Sequence, residues 1–207
     1  MLKILGKPTS INVRKVLWTC AELDLPYILE PWGTGELSLQ SPYFLARNPN
    51  AMVPVIDDDG FILWESNSIC RYLADRYGAG TLLPPPSRER ALVERWMDWQ
   101  ATELNNAWRY PFMSLVRQSS AHQDAVLLAN GIEGWNRIMG LLDAQLAAYG
   151  PYVAGDHLSL ADVVVGLSVN RWKATPMAHA DLPAVAAYFR MLSERPGFLE
   201  HGNNGTA

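Results

Sequence analysis

Cysteine is scarce in this 207-residue chain: Cys20 and Cys70 are the only two, and they form no C-x-x-C pair. That excludes a disulfide scaffold, a zinc ribbon and a dithiol redox motif. Charge is sparse too. Asp, Glu, Lys and Arg make up 18% of the chain, below the usual share of about a quarter. The net charge of -4 argues against a nucleic-acid binder that works through phosphate contacts. No apolar run approaches the roughly 18 residues a membrane span needs, and Met1 to Pro8 holds too short an apolar stretch for a signal peptide. Repeats and low-complexity tracts are absent. The expectation is a soluble, cytoplasmic protein with no nucleic-acid or membrane partner.

Apolar and aromatic residues, by contrast, are plentiful. Hydrophobic residues make up 49% and aromatics 10%, with 8 Trp, so the chain is not disordered. At this length it can bury a core without disulfides or metals. The strongest punctuation is Pro84-Pro85-Pro86, which removes three backbone donors and forces an extended path. It divides the chain into a first domain over 1–80, a Pro-rich linker over 81–87 and a second domain over 88–207.

The first part alternates between strand and helix signals. Met1 to Leu5 reads as a short buried strand. From Ile11 to Leu23 the spacing turns helical, with Val13, Val16, Leu17 and Cys20 on one face and Arg14, Lys15, Thr19 and Glu22 on others. Tyr27 to Pro31 reads as a second strand. Ser41-Pro42 opens a short helix. Val53–Asp57 and Phe61–Trp64 flank a hairpin signal at Asp58-Asp59-Gly60, and a helix carrying Ile69, Tyr72 and Leu73 ends near Gly78. This order predicts a small mixed sheet covered by helices. The second part offers no strand. A long helix from Arg88 to about Arg117 carries Leu92, Trp96, Trp99, Leu104 and Trp108, with a kink expected at Pro111. A second long helix is expected over Ala121 to Tyr149, where Gly131, Gly134 and Gly140 leave tertiary packing to hold it. Ser159-Leu160-Ala161-Asp162 resembles a helix cap before an apolar helix that must be buried. Shorter helices follow near 183–192 and 194–200, and Gly202 to Ala207 reads as a flexible tail.

Three short segments admit a chemical role beside a structural one. Thr9-Ser10-Ile11-Asn12 suits an N-cap, or presents a hydroxyl and an amide to an anion at a helix N-terminus. Pro54, at the start of a strand, is either a tolerated first residue or a cis turn that leaves the Val53 amide and carbonyl open to an extended ligand. Glu65-Ser66-Asn67 caps a helix, or cradles a ligand bearing a carboxylate for Ser66 and an ammonium for Glu65.

In order and spacing these segments resemble one family. The stretches Ser10-Ile11-Asn12-Val13-Arg14-Lys15-Val16-Leu17, Asn48-Pro49-Asn50-Ala51-Met52-Val53-Pro54-Val55, Trp64-Glu65-Ser66-Asn67-Ser68-Ile69 and Ser159-Leu160-Ala161-Asp162 are similar to those of the cytosolic glutathione S-transferases, closest to their bacterial theta-like and Nu-like branches. The resemblance covers nearly the whole chain. It implies an α/β thioredoxin-like N-terminal domain, an all-α C-terminal helical bundle, a homodimer, glutathione as cosubstrate and no metal. Residue by residue, it implies that Ser10 donates to the glutathione sulfur and that Asn12 matches the Asn of the Nu-like branch. Val53, before the cis-proline Pro54, pairs with the cysteinyl backbone. Glu65 and Ser66 grip the γ-glutamyl ammonium and carboxylate. The chain also departs from many relatives: no basic residue stands near Ala51 or Met52 to meet the glycine carboxylate, Asn67 replaces an Arg common in theta-like members, and the lack of a Cys at the Ser10 position disfavours the cysteine-type, glutaredoxin-like branches. Cys20 and Cys70 read as buried, inert thiols.

An electrophile pocket is expected between the two domains, with Asn105, Trp108, Arg109, Tyr110 and Met113 as its walls, although core packing is the plainer account of the Trp stripe. A small electrophile, a peroxide or a disulfide would be the second substrate of a transferase or reductase. An isomerase that uses glutathione as a cofactor and a noncatalytic interaction module on the same fold are the alternatives.

Overall fold

The computed structural model describes all 207 residues, in two compact units, Met1–Pro85 and Pro86–Ala207. The first unit runs β1 (Lys3–Leu5), α1 (Ile11–Glu22), β2 (Ile28–Glu30), α2 (Pro42–Leu45), β3 (Val55–Asp58), β4 (Phe61–Trp64) and α3 (Ser66–Tyr77). Its sheet has the order β2-β1-β3-β4. Ile4 faces Leu29 in a parallel pair and Ile56 in an antiparallel one. The parallel pair needs a crossover, and α1 supplies it. Ile4, Leu5, Val55 and Ile56 on the central strands are completely or almost completely buried. Pro54 has no amide to give a ladder, so the hairpin begins at Val55, two residues later than expected. Asp58 also belongs to the strand, and Asp59 and Gly60, both at positive φ, form the turn.

Helix α1 departs from the amphipathic expectation. Arg14, Lys15 and Thr19 are as buried as Val13, Val16 and Leu17. Two of them have partners inside the unit: Thr19 Oγ1 donates to the Lys15 carbonyl at 2.8 Å, and Lys15 Nζ donates to Asn67 Oδ1 at 3.2 Å. Burial pushes the Arg14 guanidinium down to about 10. Both thiols are free and buried. Burial raises Cys20 to about 12 and Cys70 to about 11, so neither is a nucleophile at neutral pH.

The second unit contains no strand. Its helices are α4 (Ser87–Trp99), α5 (Asn105–Leu115), α6 (Ala125–Tyr149), α7 (Leu160–Ala174), α8 (Pro183–Leu192) and α9 (Pro196–His201), with a π-helical turn over Gln100–Leu104 joining α4 to α5. That wide turn, rather than Pro111, interrupts the long helix. Gln100 is buried there, and its Nε2 donates to Ser168 Oγ at 3.0 Å and to Asn105 Oδ1 at 2.9 Å. Pro111 lies inside α5 and packs on α6, where a Cβ on Gly131 would come within 3.0 Å of the Pro111 ring. The glycine thus has a packing reason. The core face of α4 is Val93 and Met97, continued by Gln100 and Leu104. Trp96 and Trp99 lie off that face, half-buried, as an edge-to-face pair 5.0 Å apart, and Leu92 is exposed.

Helix α6 begins at Ala125, later than expected, because Asp124 accepts from the Val126 and Leu127 amides, each at 2.9 Å. Helix α7 is buried all round, and its Ser159–Asp162 capping box is present. Burial pushes the Asp162 carboxyl up to about 6, while the Val153 and Ser159 amides and the Ser159 and Tyr188 hydroxyls draw it back. The last residues are not a loose tail: Asn170 Nδ2 donates to the Thr206 carbonyl at 2.9 Å, and Thr206 N donates to Asn204 Oδ1 at 3.1 Å.

Asp58 ties the hairpin to α3. Its Oδ2 accepts from the Tyr72 and Tyr77 hydroxyls, both at 2.7 Å, with Arg76 Nε at 3.5 Å. Burial pushes this carboxyl up, but the two hydroxyls and Arg76 outweigh it and hold it below 3.8. A carboxyl with a depressed folded pKa stabilises the fold above its unfolded pKa, and that contribution is lost as pH falls through the folded value. Asp58→Asn is expected to cost about 1–2 kcal/mol at pH 7. In urea melts across pH the deficit should shrink below about pH 4.

Candidate functional site

The site grows from the C-terminal end of β1. Gly6 lies so close to its neighbours that a Cβ would stand 2.6 Å from Val13 Cγ2 and 3.2 Å from Val53 Cβ. This brings the first turn of α1 beside residue 53. Ser10 is the N-cap of α1 in an extended conformation, and its carbonyl accepts from Arg14 N at 2.9 Å. Its hydroxyl caps no amide, so the usual structural use of this residue is not made.

A second segment is held by Asn48, which is 2% exposed. Its Nδ2 donates to the Met52 carbonyl at 2.8 Å, and its Oδ1 accepts from Asn50 N and Nδ2. The loop it organises passes through Ala51 at φ 53 and ends in a cis Val53–Pro54 bond. Met52 is 61% exposed.

The third segment joins β4 to α3. Glu65 has φ 72 and ψ 110, a conformation that costs a non-glycine residue about 1 kcal/mol or more. Its carboxylate caps no amide. Ser66, only 6% exposed, is the first residue of α3. Neither α1 nor α3 has an acidic residue in its first turn, so the positive ends of both helix dipoles remain available to an anion.

Asn12, Val53, Pro54, Glu65 and Ser66 line a single cavity of about 180 Å³. Five of the residues singled out in the sequence therefore come together. Asn48 and Met52 complete the wall and were not among the site residues. The Asn48-Pro49-Asn50 run was visible as a motif, but its role in holding the loop depends on contacts that spacing does not show. Ser10 is not on the cavity wall, although it stands at the same end of α1 as Asn12. Asn67 is not on the wall either.

The five residues expected to form an electrophile pocket lie along α5. Asn105 Oδ1 accepts from Trp108 Nε1 at 2.8 Å and from Gln100. The Arg171 guanidinium stacks on the Trp108 ring at 4.4 Å. Tyr110 accepts from Asp124 N at 3.1 Å and packs on His122. Those three side chains thus have structural uses. Arg109 is exposed, and Met113, one turn further on, is half-buried.

Chemically, the first unit offers an open carboxylate, a buried hydroxyl at one helix N-terminus, a second hydroxyl at another and backbone polar groups beside a cis proline. That set suits an extended zwitterionic ligand. No group of three or more His, Cys, Asp or Glu side chains is arranged to hold a metal ion, and no helix is long and apolar enough to cross a membrane.

Residues 5–85 match the family described as glutathione S-transferase, N-terminal domain, and residues 105–196 match the corresponding C-terminal domain. The chain is 35% identical to glutathione S-transferase GstB of Escherichia coli K12 over 95% of each protein. It is 31% identical to glutathione S-transferase 3 of Zea mays, over 95% of this chain and 91% of that one. Among solved structures, the theta class glutathione S-transferase of Xanthomonas axonopodis pv. citri with glutathione bound superposes with a TM-score of 0.90 at 33% identity, covering 97% of this chain and 96% of that one. With both domains matched and such relatives along nearly the whole length, the chain belongs to the glutathione S-transferase family.

Proposed function

We propose that this protein is a glutathione transferase that binds glutathione along the cavity of its first unit and directs the thiolate at a small electrophile. The observation that carries this reading is the cavity itself, whose wall includes Glu65, Ser66, Val53 and Asn12. The glutathione-bound Xanthomonas relative supports the ligand. In this reading the Glu65 carboxylate accepts from the γ-glutamyl ammonium. The Ser66 hydroxyl and amide donate to the γ-glutamyl carboxylate, and the Val53 amide and carbonyl pair with the cysteinyl backbone. Ser10 donates to the sulfur from the end of α1, with Asn12 beside it.

The energetics fit one hydroxyl and one helix end. A free thiol has a pKa of about 8.5. Lowering it by about 2 units takes roughly 2.7 kcal/mol. A hydrogen bond to a charged group contributes about 1.5–3 kcal/mol, and a helix N-terminus about 0.3–1. The nucleophile belongs to the cosubstrate, and the protein holds it and tunes it. At the other end of glutathione, Ala51 and Met52 offer no cation to the glycine carboxylate, so affinity must come from the γ-glutamyl and cysteinyl contacts. Of the five α5 residues, Arg109 and Met113 share a face one turn apart, and we assign the electrophile contacts to these two.

Thiolate absorbance of protein-bound glutathione, followed against pH, tests the role of Ser10. The expected pKa is about 2 units below the free value of about 8.5, and Ser10→Ala should raise it by at least about 1 unit. A depressed pKa that survives the substitution would move the role to Asn12 or to backbone amides. Assembly as a homodimer forms part of the proposal. The exposed Leu92 and the partly exposed Trp96–Trp99 pair give the helical unit an uncovered apolar face, which a second copy would bury. Light scattering should return twice the 23.1 kDa of the chain, and Trp99→Glu should shift the mass toward one chain.

A further inference from the structure

We propose that Lys15 is a positioning residue for the γ-glutamyl carboxylate, holding Asn67 at the first turn of α3 and adding its positive charge beneath the cradle that Ser66 opens. This rests on the glutathione reading and adds to it a source of positive charge for a helix start, Ser66-Asn67-Ser68-Ile69, that carries no basic side chain of its own. Lys15 is 2% exposed. Most lysines run their stems along apolar surface and keep the ammonium in water, and burying that group carries a cost unless it is satisfied. Here it crosses from α1 to α3 and donates to Asn67 Oδ1 at 3.2 Å. An ammonium has only donors to offer, so the contact orients the Asn67 amide with its oxygen toward Lys15.

The charge is felt along α3: it pulls down the Cys70 thiol against the burial that pushes it up. About one turn nearer the N-terminus of the same helix, next to Asn67, the Ser66 side chain is buried and lines the cavity. The first turn of α3 has no acidic residue of its own. Lys15 therefore reinforces the positive end of α3 from inside the fold, at the place where the reading above puts an anion.

Calorimetric titration with two peptides tests the assignment. One is glutathione. The other is its 4-aminobutanoyl analogue, which keeps the ammonium and loses only the γ-glutamyl α-carboxylate. Lys15→Met should weaken glutathione about 10-fold, or about 1.4 kcal/mol, and leave the analogue within about 2-fold. Lys15→Arg should recover most of the loss. Asn67→Ala, a half-buried position outside the core, should show the same selectivity with a loss of about 3-fold, and it carries the test should Lys15→Met not fold. Equal weakening of both peptides, or no weakening of glutathione, overturns the assignment while leaving the glutathione reading intact. Wild-type protein that binds neither peptide defeats the glutathione reading itself.

Discussion

A side chain on Gly6 would have nowhere to go. The 2.6 Å and 3.2 Å that a Cβ would leave to Val13 and Val53 mean that the end of β1, the start of α1 and the loop before Pro54 are in contact through a missing atom. Everything in the candidate site is placed from that contact. The register of β1 with β3 then brings β3, its hairpin partner β4 and the start of α3 to the same edge, so segments far apart in the chain present their polar groups to one cavity. A side chain at Gly6 would press on Val13 of the first α1 turn and on Val53, which is itself part of the cavity wall.

The polar groups gathered there share a property: several are left unspent by the fold. The Ser10 hydroxyl occupies a cap position without capping. The Glu65 carboxylate also caps nothing, on a backbone held in a conformation that favours glycine. Polar side chains elsewhere are used up internally, as with Asp162 beneath the start of α7 and Asp58 between two tyrosines. Proteins tend to keep strain and unmet hydrogen-bonding capacity where a ligand will use them. The same contrast explains why neither cysteine serves as a nucleophile. Burial raises both thiols far above neutral pH, whereas a thiol brought in by a ligand would meet the open end of a helix.

Much of this is legible in the sequence because the signals are local. The succession of strands and helices along the first unit, the Asp-Gly turn, the Ser159–Asp162 cap and the Glu65-Ser66 pair each depend on a few consecutive residues, and the fold agrees with the glutathione S-transferase fold of its relatives. What is not legible depends on partners distant in the chain. The polar face expected for α1 is absent because Lys15 finds Asn67 and the helix is enclosed. The π-helical turn in the long helix begins at Gln100, which has Ser168 to bond to, and nothing in the local sequence announces it. The Trp96–Trp99 stripe looks like core by composition, yet the buried face of α4 is drawn by Val93 and Met97. Asn48 escapes notice because an asparagine in a loop is ordinary until its carbonyl and amide are seen to hold Asn50 and Met52 in place.

The burial of the polar residues of α1 bears on the site. Pattern analysis treats a charged residue as one that seeks water. The first unit instead keeps two cations, Arg14 and Lys15, inside. A cavity of about 180 Å³ that takes an anionic ligand has to supply positive potential without filling itself with long basic side chains. Two helix N-termini provide part of that potential through backbone groups that occupy no cavity volume. A lysine held behind the wall provides more at the same volume, and its charge is less screened than it would be at the surface. The absence of basic residues on the cavity wall is therefore consistent with anion binding, because in this fold the charge that matters sits one layer behind the surface the ligand would touch.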